Sequence, residues 1–134
     1  MANLLKLSEA TALALHTMVI ISKQDDPISA APMAKQLSAS EAHVFKVLQQ
    51  LVRAGLLRSK RGPNGGYVLA RAAEEITLMD VYEVFEGAMR KDGCLFSTSV
   101  CGELDCILGG LVKDVRTKVV EHFSSTTLKQ AGRK

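Results

Sequence analysis

The chain has 134 residues, 47% hydrophobic and 23% charged, enough apolar material for one packed core and too small a net charge, +3, for a disordered polyelectrolyte. No apolar run reaches the roughly 18–20 residues of a membrane span, because His16, Ser22 and Lys23 interrupt the best candidate and Glu9 breaks the pattern of a signal peptide. Composition thus argues against a secreted or membrane protein and for a cytoplasmic one.

Leu7, Ala10, Ala14, Met18 and Ile21 recur at three- and four-residue intervals and predict a first helix over about residues 8–22 with Ser8 as N-cap. Asp25-Asp26-Pro27 breaks it. Ser29 caps a second helix, with Pro32 in the first turn, where its missing N–H does no harm, and Met33 and Leu37 facing inward. Val44, Val47, Leu48, Leu51 and Val52 stripe a third helix, capped by Ser38 with Glu41 or by Ser40 and ended by Gly55. Its opposite face presents His43, Lys46, Gln49, Gln50 and Arg53.

The period then changes. Leu56 to Lys60 and Tyr67 to Ala70 read as two short strands, joined through Arg61-Gly62-Pro63-Asn64-Gly65-Gly66, whose Asn-Gly step is a hairpin signal. Arg53, Arg58, Lys60 and Arg61 bring four cations to residues 53–61 with no acid among them. Thr77 and Asp80 form a capping box with an Ile76–Val81 staple, opening a helix that Gly87 closes. Leu108, Leu111, Val112, Val115, Val119 and Phe123 define a long final helix from about Asp105, and Gln130 to Lys134 read as a frayed tail.

Helix, helix, striped helix and basic hairpin is the order of a winged helix-turn-helix. The expected fold is therefore mainly α, with a two-stranded β wing and a long C-terminal dimerisation helix. Residues 1–72 hold nine Lys/Arg against four Asp/Glu and form the DNA-binding region; residues 73–134, with eight against ten, supply the cysteine loop and the dimerisation helices. A helix about 10–12 Å across enters a major groove about 12 Å wide. Its outward residues must then hydrogen-bond or carry charge, as Ser40, His43, Lys46 and Gln50 do. Arg58 and Arg61 add charge on the hairpin, with Arg61 placed for the minor groove, and Gly62, Gly65 and Gly66 permit close approach to a phosphate backbone. One such head touches few base pairs, so a homodimer on a palindromic operator in double-stranded DNA is expected.

All three cysteines fall in Cys94-x6-Cys101-x4-Cys106. An odd count in one short stretch fits reduced thiols better than a disulfide framework. Three close thiols suggest a metal or iron–sulfur site with a fourth ligand. Zinc is the rival, although structural zinc sites usually pair cysteines at C-x2-4-C. Asp92, Glu103 and Asp105 flank the thiols, and acids beside a thiol disfavour the thiolate that nucleophilic chemistry needs. No nucleophile–base motif is present, and Gly62 to Gly66 lies between strands rather than opening a helix, so no enzyme is expected.

From Leu7 to about Leu128 the chain resembles the winged-helix regulator family that includes the iron–sulfur regulators IscR, NsrR and RsrR and the cysteine regulator CymR. The resemblance rests on Arg53-Ala54-Gly55-Leu56-Leu57, on Arg61-Gly62-Pro63-Asn64-Gly65-Gly66-Tyr67-Val68-Leu69 and on Glu75-Ile76-Thr77-Leu78-Met79-Asp80-Val81. It implies a dimeric regulator, a repressor, whose DNA affinity follows an iron–sulfur cluster of two or four irons sensing redox, nitric oxide or iron–sulfur status. The three cysteines match the cluster-binding branch, and the resemblance implies Cys94, Cys101 and Cys106 as ligands. The fourth ligand departs from two branches: Gly109 stands where one has histidine, and Ala12 where another has aspartate. A third branch has a histidine one helical turn later, which matches His16, so His16 is the implied fourth ligand, with a cluster that keeps an open iron site as the alternative. The competing readings are a zinc- or thiol-based regulator of the same fold and a cluster carrier that does not bind DNA.

Overall fold

The computed structural model describes residues 4–90, 107–108 and 110–133. Helix α1 spans Glu9–Ser22 and begins where the Ser8 hydroxyl accepts the Thr11 amide at 3.2 Å. Its inner face is Leu13, Ala14, Met18 and Ile21, joined by the buried hydroxyls of Thr11 and Thr17. Leu7 precedes the helix and is exposed, so it lies outside the stripe expected of it. Helix α2, Ala30–Gln36, has Ser29 at its N-cap position, but the Ser29 side chain makes no capping hydrogen bond. It ends with Ser38 in the left-handed region (φ 52°), while the Ala39 amide reaches back to the Ala34 carbonyl at 2.9 Å.

That use of Ser38 leaves Ser40 as the cap of helix α3, Glu41–Arg53, through a 3.0 Å bond from the His43 amide. The predicted stripe of α3 is its inner face: Val44, Val47, Leu48 and Leu51 are all buried. Strands β1, Leu57–Lys60, and β2, Gly66–Leu69, pair antiparallel with Leu57 opposite Leu69 and Lys60 opposite Gly66. The connecting loop therefore has five residues, and Asn64-Gly65 is not a two-residue hairpin turn. Instead, the Gly65 amide donates to the Gly62 carbonyl at 2.9 Å, closing a turn with Pro63 at its second position, where the ring presets φ. A third segment, invisible to periodicity, completes the wing: Ile28 and Tyr67 exchange backbone hydrogen bonds at 3.3 and 2.9 Å.

After a short 3-10 turn at Ala73–Glu75, helix α4 spans Leu78–Glu86, with both bonds of the Thr77–Asp80 capping box formed. Helix α5 is Leu111–Ser125, and Gly110 at its cap is left-handed (φ 87°). The expected start near Asp105 is thus too early, because residues 107–108 form a turn and the left-handed cap cannot belong to a running helix. Gln130 and Ala131, expected in a frayed tail, are helical, and Lys134 lies outside the described residues. Thr127 and Gln130 form a second capping box that opens helix α6, Leu128–Ala131, and Leu128 is completely buried. Backbone bonds from Leu78 to Thr126 at 3.0 Å and from Leu128 to Ile76 at 2.9 Å clip this terminus to the start of α4.

One apolar core joins α1, α2, α3, the wing, Ile76, Val81 and Leu128. A smaller cluster of Met79, Tyr82 and Val120 fastens α5 to α4, with Phe123 edge-on to Tyr82 at 5.7 Å. The stripe expected on α5 divides in two. Val112 and Val120 face inward beside a buried Arg116, whereas Leu111 is exposed and Val115 and Val119 are half-buried. No helix among the described residues is long and apolar enough to cross a membrane.

Candidate nucleic-acid interface

Helix α3 turns Glu41, Ala42, Phe45, Lys46, Gln50 and Arg53 to the exterior, all exposed, with Glu41 the single acid among them. Arg58, Lys60 and Arg61 are exposed along the adjoining hairpin, so cations expected from sequence to cooperate lie on neighbouring elements. A bond that spacing did not reveal ties these elements together: Gln49 Nε2 donates to the Tyr67 hydroxyl at 2.8 Å. Tyr67 itself is buried and pairs with Ile28, so helix and wing share one anchor.

The structure distributes the expected contact residues unequally. Ser40 is exposed, but its hydroxyl is occupied as the α3 cap. His43 turns back toward α1, half-buried, with Nδ1 4.0 Å from a Glu9 carboxylate oxygen. The wing glycines have reasons internal to the hairpin. A Cβ on Gly65 would lie 2.3 Å from the Lys60 carbonyl oxygen, and one on Gly66 would lie 2.5 Å from the Ile28 carbonyl carbon. Gly62 faces open space but holds φ at 111°, a backbone conformation that side chains oppose.

Cys94, Cys101, Cys106 and Gly109 lie outside the described residues. His16 is described and exposed on α1, with Nδ1 2.7 Å from the Ala12 carbonyl oxygen. A carbonyl only accepts, so Nδ1 is the donor, and in the neutral ring this tautomer leaves the lone pair on Nε2. That is the arrangement by which a backbone carbonyl orients a histidine ligand.

The foot of α1 carries a polar node that sequence reading missed. The Glu86 side chain, only 3% exposed, accepts from the Thr11 hydroxyl at 2.6 Å and the Ser8 amide at 2.8 Å, with Lys6 Nζ at 3.9 Å. Burial alone would raise this carboxyl, but the hydrogen bonds from Thr11 and Ser8 and the Lys6 charge outweigh it and hold Glu86 below the ordinary carboxylate range. Tyr82, one turn earlier, is pushed up by burial and then by the Glu86 charge. The node locks α1, which carries His16, to α4, which supports α5. Its only sequence signal is Ser8-x-x-Thr11 at a helix start, since the partner lies 75 residues away.

Known proteins agree with this architecture. Protein aau3 of Rhizobium meliloti is 37% identical over 105 residues, 78% of this chain, and the chain spans 66% of that protein's length. The structure of CymR, the global cysteine regulator of B. subtilis, superposes with a TM-score of 0.81 at 28% identity and covers 96% of both chains. IscR of T. potens superposes with a TM-score of 0.72 at 26% identity, covering 95% of this chain and 85% of its own. The profile of the Rrf2 family, iron-dependent transcriptional regulators rather than enzymes, matches residues 7–133. With so little of the sequence outside that match, the chain belongs to the Rrf2 family of winged-helix transcriptional regulators.

Proposed function

We propose that the protein is a cytoplasmic homodimeric repressor that reads a palindromic operator in double-stranded DNA and senses redox, nitric oxide or iron–sulfur status through an iron–sulfur cluster. The observation that carries the DNA reading is the joint exposure of Lys46, Gln50, Arg53, Arg58, Lys60 and Arg61 on α3 and the wing, which the Gln49–Tyr67 bond joins. Residues 1–72 form this head, and residues 73–134 supply the cysteine loop and the dimer surface. The outer face of α5, with Leu111 at 55% exposure beside Val115 and Val119, is apolar surface that a second copy would cover.

Cys94, Cys101 and Cys106 supply three thiolates, and His16 supplies an imidazole through Nε2, reaching the cysteines of the partner subunit. Thiolates with imidazole are a donor set that iron–sulfur centres accept, and the Ala12 carbonyl on Nδ1 suits that role. When bound, the cluster supplies a centre that responds to oxidants and nitric oxide. A ligand bridging two subunits would tie the spacing of the reading heads to cluster state. The likeness to a cysteine regulator supports a second reading, a zinc- or thiol-based regulator of the same fold. A carrier without DNA binding would leave the cationic face without a use.

Anaerobic purification separates these readings. A brown protein containing iron and sulfide is expected, with each of Cys94→Ser, Cys101→Ser and Cys106→Ser losing iron. Colourless protein with zinc, or with no metal, overturns the cluster in favour of the second reading. His16→Ala should keep its circular dichroism yet shift the visible spectrum; unchanged spectrum, stability and operator affinity would remove His16 from the ligand set. Lys46→Ala should lose either a phosphate contact, flattening the salt slope by about one, or a base contact worth about 1–3 kcal/mol. Arg61→Ala, at the wing, should weaken binding most where the minor groove is narrow. Unchanged affinity and salt dependence in both variants would overturn the DNA-reading face.

A further inference from the structure

Phe45 is 49% exposed and belongs to neither apolar cluster of the fold. The other exposed large hydrophobic residues, Leu4, Leu7, Ile107 and Leu111, lie in the N-terminal segment or at the approach to α5 and its first turn, among the described residues. Phe45 alone of these lies on α3. Ala42 precedes it by three positions and is also exposed, so the two side chains are neighbours on one helix face, with Lys46 beside them. A bare phenyl ring and a methyl group therefore stand between Lys46 and the exposed Glu41, one turn before Phe45, on the surface assigned to the major groove.

Base edges in that groove offer such a pair one favourable partner. Guanine, cytosine and adenine present hydrogen-bond donors and acceptors, whereas thymine adds a C5 methyl group. An apolar ring against a polar edge strips its water and returns no hydrogen bond. Against the thymine methyl it buries apolar carbon on both sides, and the small Ala42 leaves room for the base edge to approach.

We propose that Phe45, with Ala42, is a specificity-determining element that recognises thymine methyl groups in the operator. The proposal rests on the DNA-binding reading above, and its test separates the two. Duplexes are first selected from a random library with the full-length protein, in both the anaerobically loaded and the metal-free form. Each thymine of the selected duplex is then replaced by deoxyuridine, which removes the C5 methyl and leaves every hydrogen-bonding group in place.

For the wild type, at least one thymine in each half-site should show about fourfold weaker binding per methyl lost, the ratio that corresponds to about 0.8 kcal/mol for one buried apolar carbon. Phe45→Ala should bind thymine and deoxyuridine duplexes alike, with the salt slope unchanged because no phosphate contact is lost. Phe45→Leu, which keeps an apolar side chain, should retain part of the discrimination. Wild-type binding indifferent to every deoxyuridine replacement overturns the proposal, as does an undiminished penalty in Phe45→Ala. Failure of the wild type to enrich any duplex overturns the DNA-binding reading, and this proposal with it.

Discussion

Glu86 shows how much one buried carboxylate can decide. Its depressed proton affinity means that the unfolded chain takes up a proton at a pH where the folded chain still resists it. The node therefore contributes its full stability above the unfolded Glu value of about 4.3 and loses it as pH falls further, through the folded value. Denaturant titrations of the wild type should show stability declining in that acid window, and Glu86→Gln should flatten the decline. Thr11→Val removes a charge-assisted hydrogen bond and should cost about 1.5–3 kcal/mol at neutral pH. The wing glycines make a second contrast. Gly62→Ala meets only an unfavourable φ and should cost about 1–3 kcal/mol. Gly66→Ala adds a collision with the Ile28 backbone, so its melting temperature should fall further.

At the scale of elements, the long stripes were legible because their repeats are local. The α3 stripe of Val44, Val47, Leu48 and Leu51 is the buried face in the folded chain, and Thr77 with Asp80 is a true capping box. The same rule read fully would have found Thr127 with Gln130 and hence α6, whose single turn is too short to show periodicity. Such a helix is marginal alone and forms because Leu128 enters the core and the backbone clips to Ile76. Leu128→Ala should cost about 2–5 kcal/mol in denaturant unfolding. Thr127→Ala should cost about 0.5–2 kcal/mol, since only the cap is lost.

At the scale of the molecule, α5 has two apolar edges with different destinations. Val120 faces Met79 and Tyr82, whereas Val115 lies on the half-exposed side. Val120→Glu should destabilise the monomer fold itself by about 4 kcal/mol or more, because it buries a charge without a partner. Val115→Glu should leave circular dichroism and melting of the monomer nearly unchanged and abolish self-association in sedimentation. A stable wild-type monomer at micromolar concentration would overturn the dimer.

The sequence by itself determined the order of helices and hairpin, the inner face of α3, the cationic character of the reading head and the three-thiol spacing. Those properties depend on residues within a few positions of one another, where helical and strand periodicity, capping and turn chemistry act. Tertiary structure alone decided that Ile28 completes the wing and that Gln49 grips Tyr67. It also decided that Glu86 closes the foot of α1 and that His43 turns toward Glu9. Each of these joins residues far apart in the chain or on separate elements. Their partners are chosen by how the elements pack, and a polar group removed from water must take whatever donor or acceptor that packing brings within reach.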